Sequence, residues 1–543
     1  MPLTIRHLPA NVLQPPGWAL HALAERPRPK DTPDVIVPAR AEDVPRPDPA
    51  RDKDKRVALA KDLEEALSVH EPHVAVLESI RKLADPNAAV VMVGQQPGLF
   101  GGPLYNIYKA LHAVRLAREL EAHWGAPVLP AFWNHGDDHD IAEVHHLWIQ
   151  NPNLDLRKIG LAGVSSGRTP LWRIEFDEEK HKLDALEQML RQGLWEGEDR
   201  ERALELCLPR PGESFSNAFT RILLGLFGHL GLVVVEPQWI RTPLSQALAD
   251  LVTKDIAQAL FEGAERVRKS GREVAIEPAS AAVAFRLEND RRLALRMVEG
   301  EFRFDGEAGS RTASELAAEI TQAPEEWSAG ALLRPILQDT VFPIACYVGG
   351  WGELDYHSQL GPLRQQAGAP PSIFVPRLSA TLVDAGVHNS LEKLETDARE
   401  VLEAKGNLGE DEESGETAPV VLTLRSLGEH MAGELGDLRD ELSSLDRGLA
   451  QQLKRSASQV RGLVNKLATK AERVHANVQG RGRRHYRRIN NGLYPRSGPQ
   501  ERTRGGLEFI ARYGRPWLDE LLHEIDPFPT EHLLIYIQEE SIA

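Results

Sequence analysis

The segment Trp133–His146 (WNHGDDHDIAEVHH) carries more imidazole and carboxylate groups than packing alone would need. Eight of its fourteen residues are His, Asp or Glu. Acidic neighbours raise the pKa of an imidazole toward physiological pH, which suits it to general acid–base catalysis. The pattern predicts His139 as the general acid or base, with Asp138 or Asp140 orienting its ring. A metal site and a solvated helix N-terminus are the two alternatives.

A glycine-rich loop, Gly94–Pro103 (GQQPGLFGGP), lies between a predicted strand and a predicted helix. Glycines at such a turn let backbone N–H groups approach an anion at the positive end of the helix. The spacing matches neither GxGxxG nor GxxxxGK[ST], so it predicts neither a dinucleotide site nor a P-loop. Gln95 and Gln96 follow the strand, where α/β sheets bind ligands. The loop is therefore a candidate substrate-binding segment, and a tight turn without a ligand is the alternative.

A third polar group surrounds an apolar run within Leu332–Pro362. The predicted strand ends at Gly349, Glu353 and Tyr356 follow it, and Arg334 precedes it. Because the carboxyl ends of parallel strands meet at one edge of a sheet, we expect these side chains to join those of the first two segments. Cys346 lies in the middle of the run and is predicted to be a core residue rather than a nucleophile.

A basic run, Gly480–Asn490 (GRGRRHYRRIN), contains five arginines that could bind phosphate groups. Its alternative is the solvated end of a coiled coil. The whole chain has 64 basic and 80 acidic residues and a net charge of −16. Since neutralising phosphates needs an excess of Lys and Arg, we expect no nucleic-acid partner.

The two cysteines, Cys207 and Cys346, exclude a disulfide scaffold and a cysteine-ligated metal cluster, and they fit a reducing cytoplasm. No apolar run approaches the roughly 18 residues of a membrane helix. The first residues show no basic region followed by an apolar one, so no export signal is expected. We therefore expect a cytoplasmic protein without a membrane partner.

Five short apolar runs predict an α/β fold with an open parallel sheet. The first two, with the loop and helix between them, form a βαβ unit. Two insertions separate the other strands, and the second insertion should contain β structure. The predicted strands are Ala88–Val93, Val128–Trp133, Gly231–Val235, Phe342–Val348 and Ile373–Val375, and a further strand is expected at His532–Ile537.

A leucine-rich stripe follows the sheet region. Apolar residues from Leu435 to Val474 alternate steps of three and four, the pattern of a coiled coil. One helix over Thr423–Val478 would span roughly 80 Å. Helical spacing also precedes an acidic loop, Gly406–Glu416, so an antiparallel hairpin with that loop at its turn is expected.

The resulting domain prediction alternates core and inserted segments. It places core at 1–149, 212–241 and 331–378, insertions at 150–211 and 242–330, the coiled coil at 379–490, and a C-terminal segment that returns to the core at 491–543.

Four segments of this chain together resemble the BshC family, the cysteine-adding enzyme of bacillithiol biosynthesis. They are GQQPGLFGGPLYNIYKALHAVRLA, PAFWNHGDDHDIAEVHH, LLRPILQDTVFPIACYVGGWGELDYHSQLGP and LYPRSGPQER. The resemblance implies a Rossmann-like core with two connecting-peptide insertions, reminiscent of class I aminoacyl-tRNA synthetases and cysteine ligases. It also implies a coiled coil that forms a homodimer. The implied reaction joins L-cysteine to glucosaminyl malate through an amide bond.

Motif and position together assign the site residues. Catalysis is assigned to Asp138, His139 and Asp140, and nucleotide binding to Gln500, Glu501 and Arg502. Substrate binding is assigned to Gly94, Gln95, Gln96, Gly98, Gly102, Tyr105, His146, Glu353 and Tyr356. ATP is implied by family analogy and because a carboxylate needs activation, and no metal is expected.

The chain departs from the family's usual residues inside the second motif. Asp137 stands where the family usually has Glu, His135 where a small residue is common, and His145 where Asn is common. Two rival functions stay open beside the ligase. One is a metal-dependent hydrolase that uses the Asp/His cluster, and the other is a non-catalytic coiled-coil scaffold.

Overall fold

The computed structural model describes residues 3–32, 34–48, 53–164, 167–298, 300–307, 309–409, 419–445 and 447–537. The chain divides into two compact units. The first consists of Met1–Ala385 with Gly498–Ala543, and the second is Gly386–Ser497.

The strands of the described residues all belong to the first unit and form four sheets. They are β1 (Leu3–Pro9), β2 (Val35–Ile36), β3 (Ala89–Gln95), β4 (Val128–Asn134), β5 (His146–Gln150), β6 (Leu156–Gly160), β7 (Val233–Val235), β8 (Ala284–Glu288), β9 (Arg291–Val298), β10 (Glu301–Phe304), β11 (Trp327–Ala329), β12 (Ile344–Gly349), β13 (Ser372–Pro376), β14 (Ser379–Asp384) and β15 (Glu531–Ile537).

Helices surround these sheets and form the second unit, and among the described residues no helix is both long and apolar enough to cross a membrane. They are α1 (Gly17–Ala24), α2 (Lys53–Ser68), α3 (Val74–Lys82), α4 (Leu104–Trp124), α5 (Ile141–Val144), α6 (Glu178–His181), α7 (Leu183–Gly193), α8 (Glu198–Cys207), α9 (Phe215–Phe227), α10 (Arg241–Val252), α11 (Ile256–Lys269), α12 (Ala313–Gln322), α13 (Arg334–Val341), α14 (Trp351–His357), α15 (Gly361–Gln366), α16 (Ala385–Lys393), α17 (Ala398–Glu403), α18 (Pro419–Asp437), α19 (Arg439–Leu445), α20 (Arg447–Leu493), α21 (Gln500–Thr503), α22 (Gly506–Tyr513) and α23 (Pro516–Glu524).

The central sheet has six parallel strands in the order β2-β13-β12-β3-β4-β7. Its inner strands are short apolar runs, such as AVVMVGQ in β3, that are buried on both faces as a helix-covered parallel sheet requires. All five predicted core strands lie in it, so the Rossmann-like fold is confirmed. The strand order reverses at β3, which lies between β4 and β12. The carboxyl ends of β3 and β12 therefore form a topological switch point, where open α/β sheets bind ligands.

The second insertion contains the β structure that its alternating sequence predicts. Its sheet is antiparallel in the order β10-β9-β8-β11. Phe285 of β8 and Trp327 of β11 both face a compartment beside the switch point. The insertion therefore supplies one wall of the candidate site described below.

The C-terminal strand lies outside the central sheet. β15 pairs antiparallel with β1 and parallel with β14, which makes a separate three-stranded sheet. The predicted strand at His532–Ile537 is confirmed, but β1 and β14 were not predicted. Polar residues interrupt the apolar ones in both β1 (LTIRHLP) and β14 (SATLVD), so neither strand shows the continuous apolar run that marks the core strands.

Glu236, directly after β7, is a fully buried carboxyl group. Thr220 Oγ1 donates a hydrogen bond to it at 2.5 Å, and the Gln238 side chain donates another. Burial raises the pKa of Glu236 from 4.5 to about 7, more than these hydrogen bonds lower it. Between these two pH values the folded state holds a proton that the unfolded state releases, so stability falls as pH rises through this window.

Glu236→Gln is therefore expected to be more stable relative to the native protein at pH 8 than at pH 5. The difference should amount to about 3 kcal/mol, from 1.36 kcal/mol per pKa unit. Urea unfolding midpoints at the two pH values measure it, with exposed Glu205→Gln as the control. A stability difference that does not change with pH would contradict the assignment of this proton to Glu236.

The second unit contains a helical hairpin, formed by α18 and α20, that the sequence does not predict. α18 packs antiparallel on α20, with Val421 beside Ala468 and Gly428 beside Val464. The predicted single helix over Thr423–Val478 is wrong, because a turn at Leu438 ends α18 and because α18 and α20 run antiparallel to each other. The heptad spacing of the leucines continues across this turn, so the sequence pattern does not predict where the helix ends. The predicted acidic loop lies mostly outside the described residues, from 410 onward.

Candidate active site

A cavity of about 320 Å³ opens at the switch point between β3 and β12, and we call it the main cavity. Seven of the predicted site residues line it: Gln95, Gln96, Tyr105, Asp138, Glu353, Tyr356 and Arg502. The structure therefore brings the three strand-end segments together, and it adds Arg502 from the C-terminal segment. Four further side chains, not among the predicted site residues, also line the cavity: Lys109, His135, Arg334 and Arg377.

A buried ion pair joins α4 to α14 at the floor of the main cavity. Lys109 Nζ lies 2.7 Å from Glu353 Oε2, 2.9 Å from Gln95 Oε1 and 2.7 Å from the Gly94 carbonyl oxygen. Glu353 also accepts hydrogen bonds from Tyr347 Oη at 3.0 Å and from the Gly350 N–H at 2.9 Å. Burial lowers the pKa of Lys109, while the charge of Glu353 opposes that shift. The pair therefore fixes the relative positions of β3, α4 and α14.

Arg334 forms a second anchor through neutral partners. Its Nη1 donates to His135 Nδ1 at 3.2 Å, and its Nη2 donates to Tyr356 Oη at 3.1 Å. Burial, followed by the charges of Arg334 and Lys109, lowers the pKa of His135 well below its ordinary value. The imidazole is therefore neutral, with its proton on Nε2. No carboxylate of the described residues lies within ion-pair distance of Arg334, so its charge faces the cavity without a protein counterion.

Asp138 is the second carboxylate that lines the main cavity, beside Glu353 in the same lining. Gln96 Nε2 donates to its Oδ2 at 2.7 Å, and the backbone N–H of His139 donates to its Oδ1 at 2.7 Å. Burial alone would raise the pKa of Asp138, but these hydrogen bonds and the charge of Arg292 lower it below its ordinary value. Asp138 therefore stays ionised at neutral pH and can receive a cationic group of a ligand.

A smaller compartment of about 170 Å³ adjoins the main cavity, and we call it the side compartment. His135, Asp138 and Arg334 line both spaces, so the two meet at these residues. The remaining walls are mainly apolar, with His139 and Arg292 among the polar side chains. The apolar wall residues include Trp133, Leu244, Leu248, Phe285, Trp327 and Leu337.

His139 faces the side compartment rather than the main cavity. Arg292 Nη1 donates to His139 Nδ1 at 3.1 Å. The expectation that acidic neighbours raise the pKa of His139 is wrong, because burial and the charge of Arg292 lower it, more than Asp138 raises it. The ring is therefore neutral at physiological pH, and its basic nitrogen already accepts a hydrogen bond. The role of His139 as general acid or base stays a prediction.

If His139 is the general base, the acid limb of kcat/KM must lie below pH 6.5, the ordinary pKa of histidine. His139→Gln should then lower the rate and remove this limb, because an amide does not titrate. Initial rates from pH 4.5 to 8 measure both effects. An unchanged profile in the variant would exclude His139 as the titrating base.

The glycine-rich loop closes on itself. Gly101 and Gly102 donate their N–H groups to the carbonyls of Gly98 and Leu99, and the Leu104 N–H donates to the carbonyl of Arg504. These amides are thus used inside the protein, and the loop acts as a turn that carries Gln95 and Gln96. Gly94 is needed for a close approach, because a Cβ there would lie 2.5 Å from His135 Nε2.

Several predicted site residues lie elsewhere. Asp140 is exposed to solvent, and His146 begins β5 with its ring beside that of His145. The Gln500 side chain pairs with the backbone of Leu382, and Glu501 binds Arg377 at 2.6 Å. Asp137 forms a buried ion pair with Arg241. Of the predicted nucleotide-binding residues, only Arg502 faces the main cavity.

The histidines of the second segment do not converge on one point. His135 and His139 turn their Nδ1 atoms toward arginines, and His145 Nδ1 lies 3.0 Å from the Ile141 carbonyl oxygen. Over the part of the chain that the structure describes, no three His, Cys, Asp or Glu side chains form a group that could hold a metal ion. This arrangement does not favour the metal-dependent hydrolase.

Lys109 and Arg292 are two of the residues that sequence reasoning missed. Lys109 occupies a buried face of α4, in the run NIYKALHAV, where a lysine among apolar residues is the signal that could have identified it. Arg292 lies in the second insertion, and its sequence surroundings carry no comparable signal. Both matter because each places a cation inside the candidate site.

Comparison with known proteins agrees with this architecture. The family model "Bacillithiol biosynthesis BshC, N-terminal Rossmann-like domain" matches residues 44–378, and "Bacillithiol biosynthesis BshC, C-terminal coiled-coil domain" matches residues 380–537. A relative from Koribacter versatilis named "Putative cysteine ligase BshC" is 30% identical, over 89% of this chain and 90% of its own length. Relatives of the same name from Solibacter usitatus and Salinibacter ruber are each 28% identical, over 87% and 84% of this chain and 88% and 84% of their own lengths. With both family models in chain order over most of its length, this chain belongs to the BshC family.

Proposed function

We propose that this protein is a cysteine ligase. It forms an amide bond between the carboxyl group of L-cysteine and the amine of glucosaminyl malate, the last step of bacillithiol biosynthesis. The observation that carries the proposal is the main cavity, where amide, carboxylate and guanidinium groups from three strand ends meet at the switch point. The name shared by the relatives supports the same reaction.

The acceptor substrate suits the charge of the main cavity. Glucosaminyl malate carries carboxylate groups on its malate part, and Arg334 lines the cavity with no carboxylate of the described residues within ion-pair distance. Arginine binds carboxylates through paired N–H groups. Gln95 and Gln96 add side-chain amides at the end of β3, which suit the hydroxyl groups of the sugar. The acceptor therefore occupies the main cavity, with its amine directed toward Asp138.

In the bond-forming step, the amine nitrogen attacks the activated carbonyl carbon of cysteine. The leaving group departs with the electron pair of its C–O bond, and the proton of the attacking amine passes to a base. Asp138 stands where the two spaces meet, and its carboxylate can hold an ammonium group there. His139 stays our candidate base, with Asp138 as its neighbour.

Activation of the carboxylate by ATP is part of the proposal. ATP would supply the activation, since a free carboxylate is a poor acylating agent, and the group that the amine displaces would be AMP from an acyl-adenylate or phosphate from an acyl-phosphate. Of the residues present, Arg502 and Arg377 fit its phosphates by charge. The glycine-rich loop does not fit them, because its Gly101 and Gly102 amides are already hydrogen-bonded.

The test combines the purified protein with L-cysteine and glucosaminyl malate, with and without ATP. Mass spectrometry should show a product whose mass is the sum of the two substrates less one water. Release of pyrophosphate would identify the adenylate, and release of phosphate the acyl-phosphate. Absence of the product in every condition would refute the ligase assignment.

We also propose that the chain is a cytoplasmic homodimer joined through the hairpin of α18 and α20. Large apolar side chains along this unit are exposed in the single chain, among them Leu427, Met431, Leu438, Leu449, Leu463 and Leu467. A second copy would remove them from water. Light scattering should give a dimer for the native protein and a monomer for Leu463→Glu combined with Leu467→Glu. Exposed Thr469→Glu is the control, and a dimeric double variant would refute the interface.

A further inference from the structure

The side compartment differs in character from the main cavity that it joins. Trp133 of β4, Leu248 of α10 and Leu337 of α13 supply apolar walls from the core, and Phe285 and Trp327 supply walls from the insertion sheet. A polar sugar gains little from such walls, because its hydroxyl groups would lose water without replacement hydrogen bonds. A small, largely apolar group gains from them.

One charged group stands in this apolar space. Arg292 is 7% exposed, and no carboxylate of the described residues lies within ion-pair distance of it. Its contacts are with neutral groups: His139 Nδ1 at 3.1 Å, Ser328 Oγ at 3.4 Å and the centroid of the Phe285 ring at 3.6 Å from Cζ. Its Nε atom is buried and has no hydrogen-bond partner. The charges of Asp137 and Asp138 act on Arg292 only from beyond ion-pair distance. A buried guanidinium that no carboxylate contacts is costly, so a ligand that brings a negative charge would be stabilised here.

Building on the proposed function, we propose that the side compartment binds the side chain of L-cysteine and that Arg292 selects it by stabilising the thiolate. The CH₂ group and the weakly hydrated sulfur suit the apolar walls. The thiol proton is released to the solvent on binding. An ordinary thiol pKa of about 8.5 is close enough to neutral pH that ionising the thiol takes little free energy. A serine hydroxyl does not ionise in this range, and it would lose its water without compensation.

The position of Asp138 completes the arrangement. Asp138 lines both spaces, so the α-ammonium group of cysteine can meet its carboxylate while the carboxyl group points into the main cavity. The amide bond then forms at the junction of the two spaces. Titratable and charged groups that face the bound thiolate are His135, Asp137, Asp138, His139, Arg241 and Arg334. Asp137 is held in its ion pair with Arg241, which leaves Arg292 as the cation closest to His139 in the compartment.

Isothermal titration without the acceptor tests this proposal. Cysteine, serine, aspartate and 2-aminobutyrate, which carries a methyl group in place of the thiol, are titrated at pH 7 in two buffers of different ionisation enthalpy. The native protein should prefer cysteine to 2-aminobutyrate about tenfold to a hundredfold, the range for a hydrogen bond to a charged group. Only cysteine should release close to one proton.

Arg292→Gln should bind cysteine no better than 2-aminobutyrate and release no proton. Arg286→Gln changes an arginine of the same insertion sheet that pairs with Glu288 and Glu307, and it should behave like the native protein. Thermal melting checks that each variant folds. If Arg292→Gln does not fold, Ala329→Leu fills the compartment instead, and it should weaken cysteine binding while leaving the KM of glucosaminyl malate unchanged.

Four results would overturn the proposal. They are cysteine binding without proton release, no cysteine binding at all, tighter binding of aspartate than of cysteine, and a KM increase for glucosaminyl malate rather than cysteine in Arg292→Gln. Failure of the proposed function is a different result. In that case cysteine binds with proton release, but no amide product forms when the acceptor is supplied.

Discussion

Lys109→Met is expected to lower the free energy of unfolding by about 3–5 kcal/mol and to abolish activity. Removing one member of a buried ion pair leaves the other charge without compensation, which costs about that much. The side chain of Lys109 is 2% exposed and that of Glu353 is 19% exposed, so water replaces the lost partner poorly. Loss of the pair also frees α14, which carries Glu353 and Tyr356 into the main cavity. Chemical unfolding and product formation measure the two effects.

Lys82→Met is the matched control for this prediction. Lys82 pairs with Glu121 at 2.9 Å, but both side chains are about 40% exposed, so the loss should stay below about 1 kcal/mol. The double variant Lys109→Met with Glu353→Gln should regain much of the stability of the single variant, because the neutral amide needs no cation. It should stay inactive. A single variant as stable as Lys82→Met would show that the Lys109 pair does not hold the site together.

Asp138→Asn is expected to reduce kcat/KM by at least about a hundredfold, the scale of removing one preorganised charged contact from an active site. The amide keeps the shape of the carboxylate and one acceptor for the N–H of His139, so the fold should persist. What is lost is the negative charge where the main cavity and the side compartment meet. Steady-state kinetics with each substrate varied in turn measure the effect, and a melting curve confirms the fold.

Asp140→Asn is the natural comparison, because it removes the same charge two residues further along the chain. Asp140 is exposed to solvent and does not line the main cavity or the side compartment. The variant should therefore retain most of the native activity, even though motif and position rank Asp140 with Asp138. Equal losses in the two variants would mean that the net charge of the segment matters rather than the position of Asp138.

The fold was largely predictable because its signals are local. The apolar composition of runs such as AVVMVG in β3 indicates buried strands, and the glycine-rich loop indicates the turn that follows. Strand ends in a parallel sheet share one edge, so the meeting of Gln95, Asp138 and Glu353 followed from topology alone. The leucine stripe failed to predict the helical hairpin correctly, since its period does not reveal where the chain reverses.

The side-chain partners of the candidate site were not predictable in the same way. Lys109 and Glu353 are 244 residues apart, and the local sequence around either residue does not identify the other as its ion-pair partner. The pKa of His139 depends on Arg292, a residue of the second insertion, whereas the sequence shows only its acidic neighbours. Gln500 and Glu501 stand beside Arg502 in one motif, yet their side chains bind β14 and Arg377. The charge state and solvation of a site residue depend on its tertiary partners, and these cannot be predicted from its neighbours in the sequence.

The sheet formed by β1, β15 and β14 ties the first strand of the chain to the last one described. During synthesis, β1 has no partner until the ribosome has made residues 531–537, and the main cavity lacks Arg502 until the whole second unit has been completed. Long-range pairing of this kind folds slowly and late. A nascent or truncated chain can therefore carry Gln95, Asp138 and Glu353 without presenting a complete cavity. Ligand binding therefore requires a chain that has been synthesised at least through Arg502 and β15.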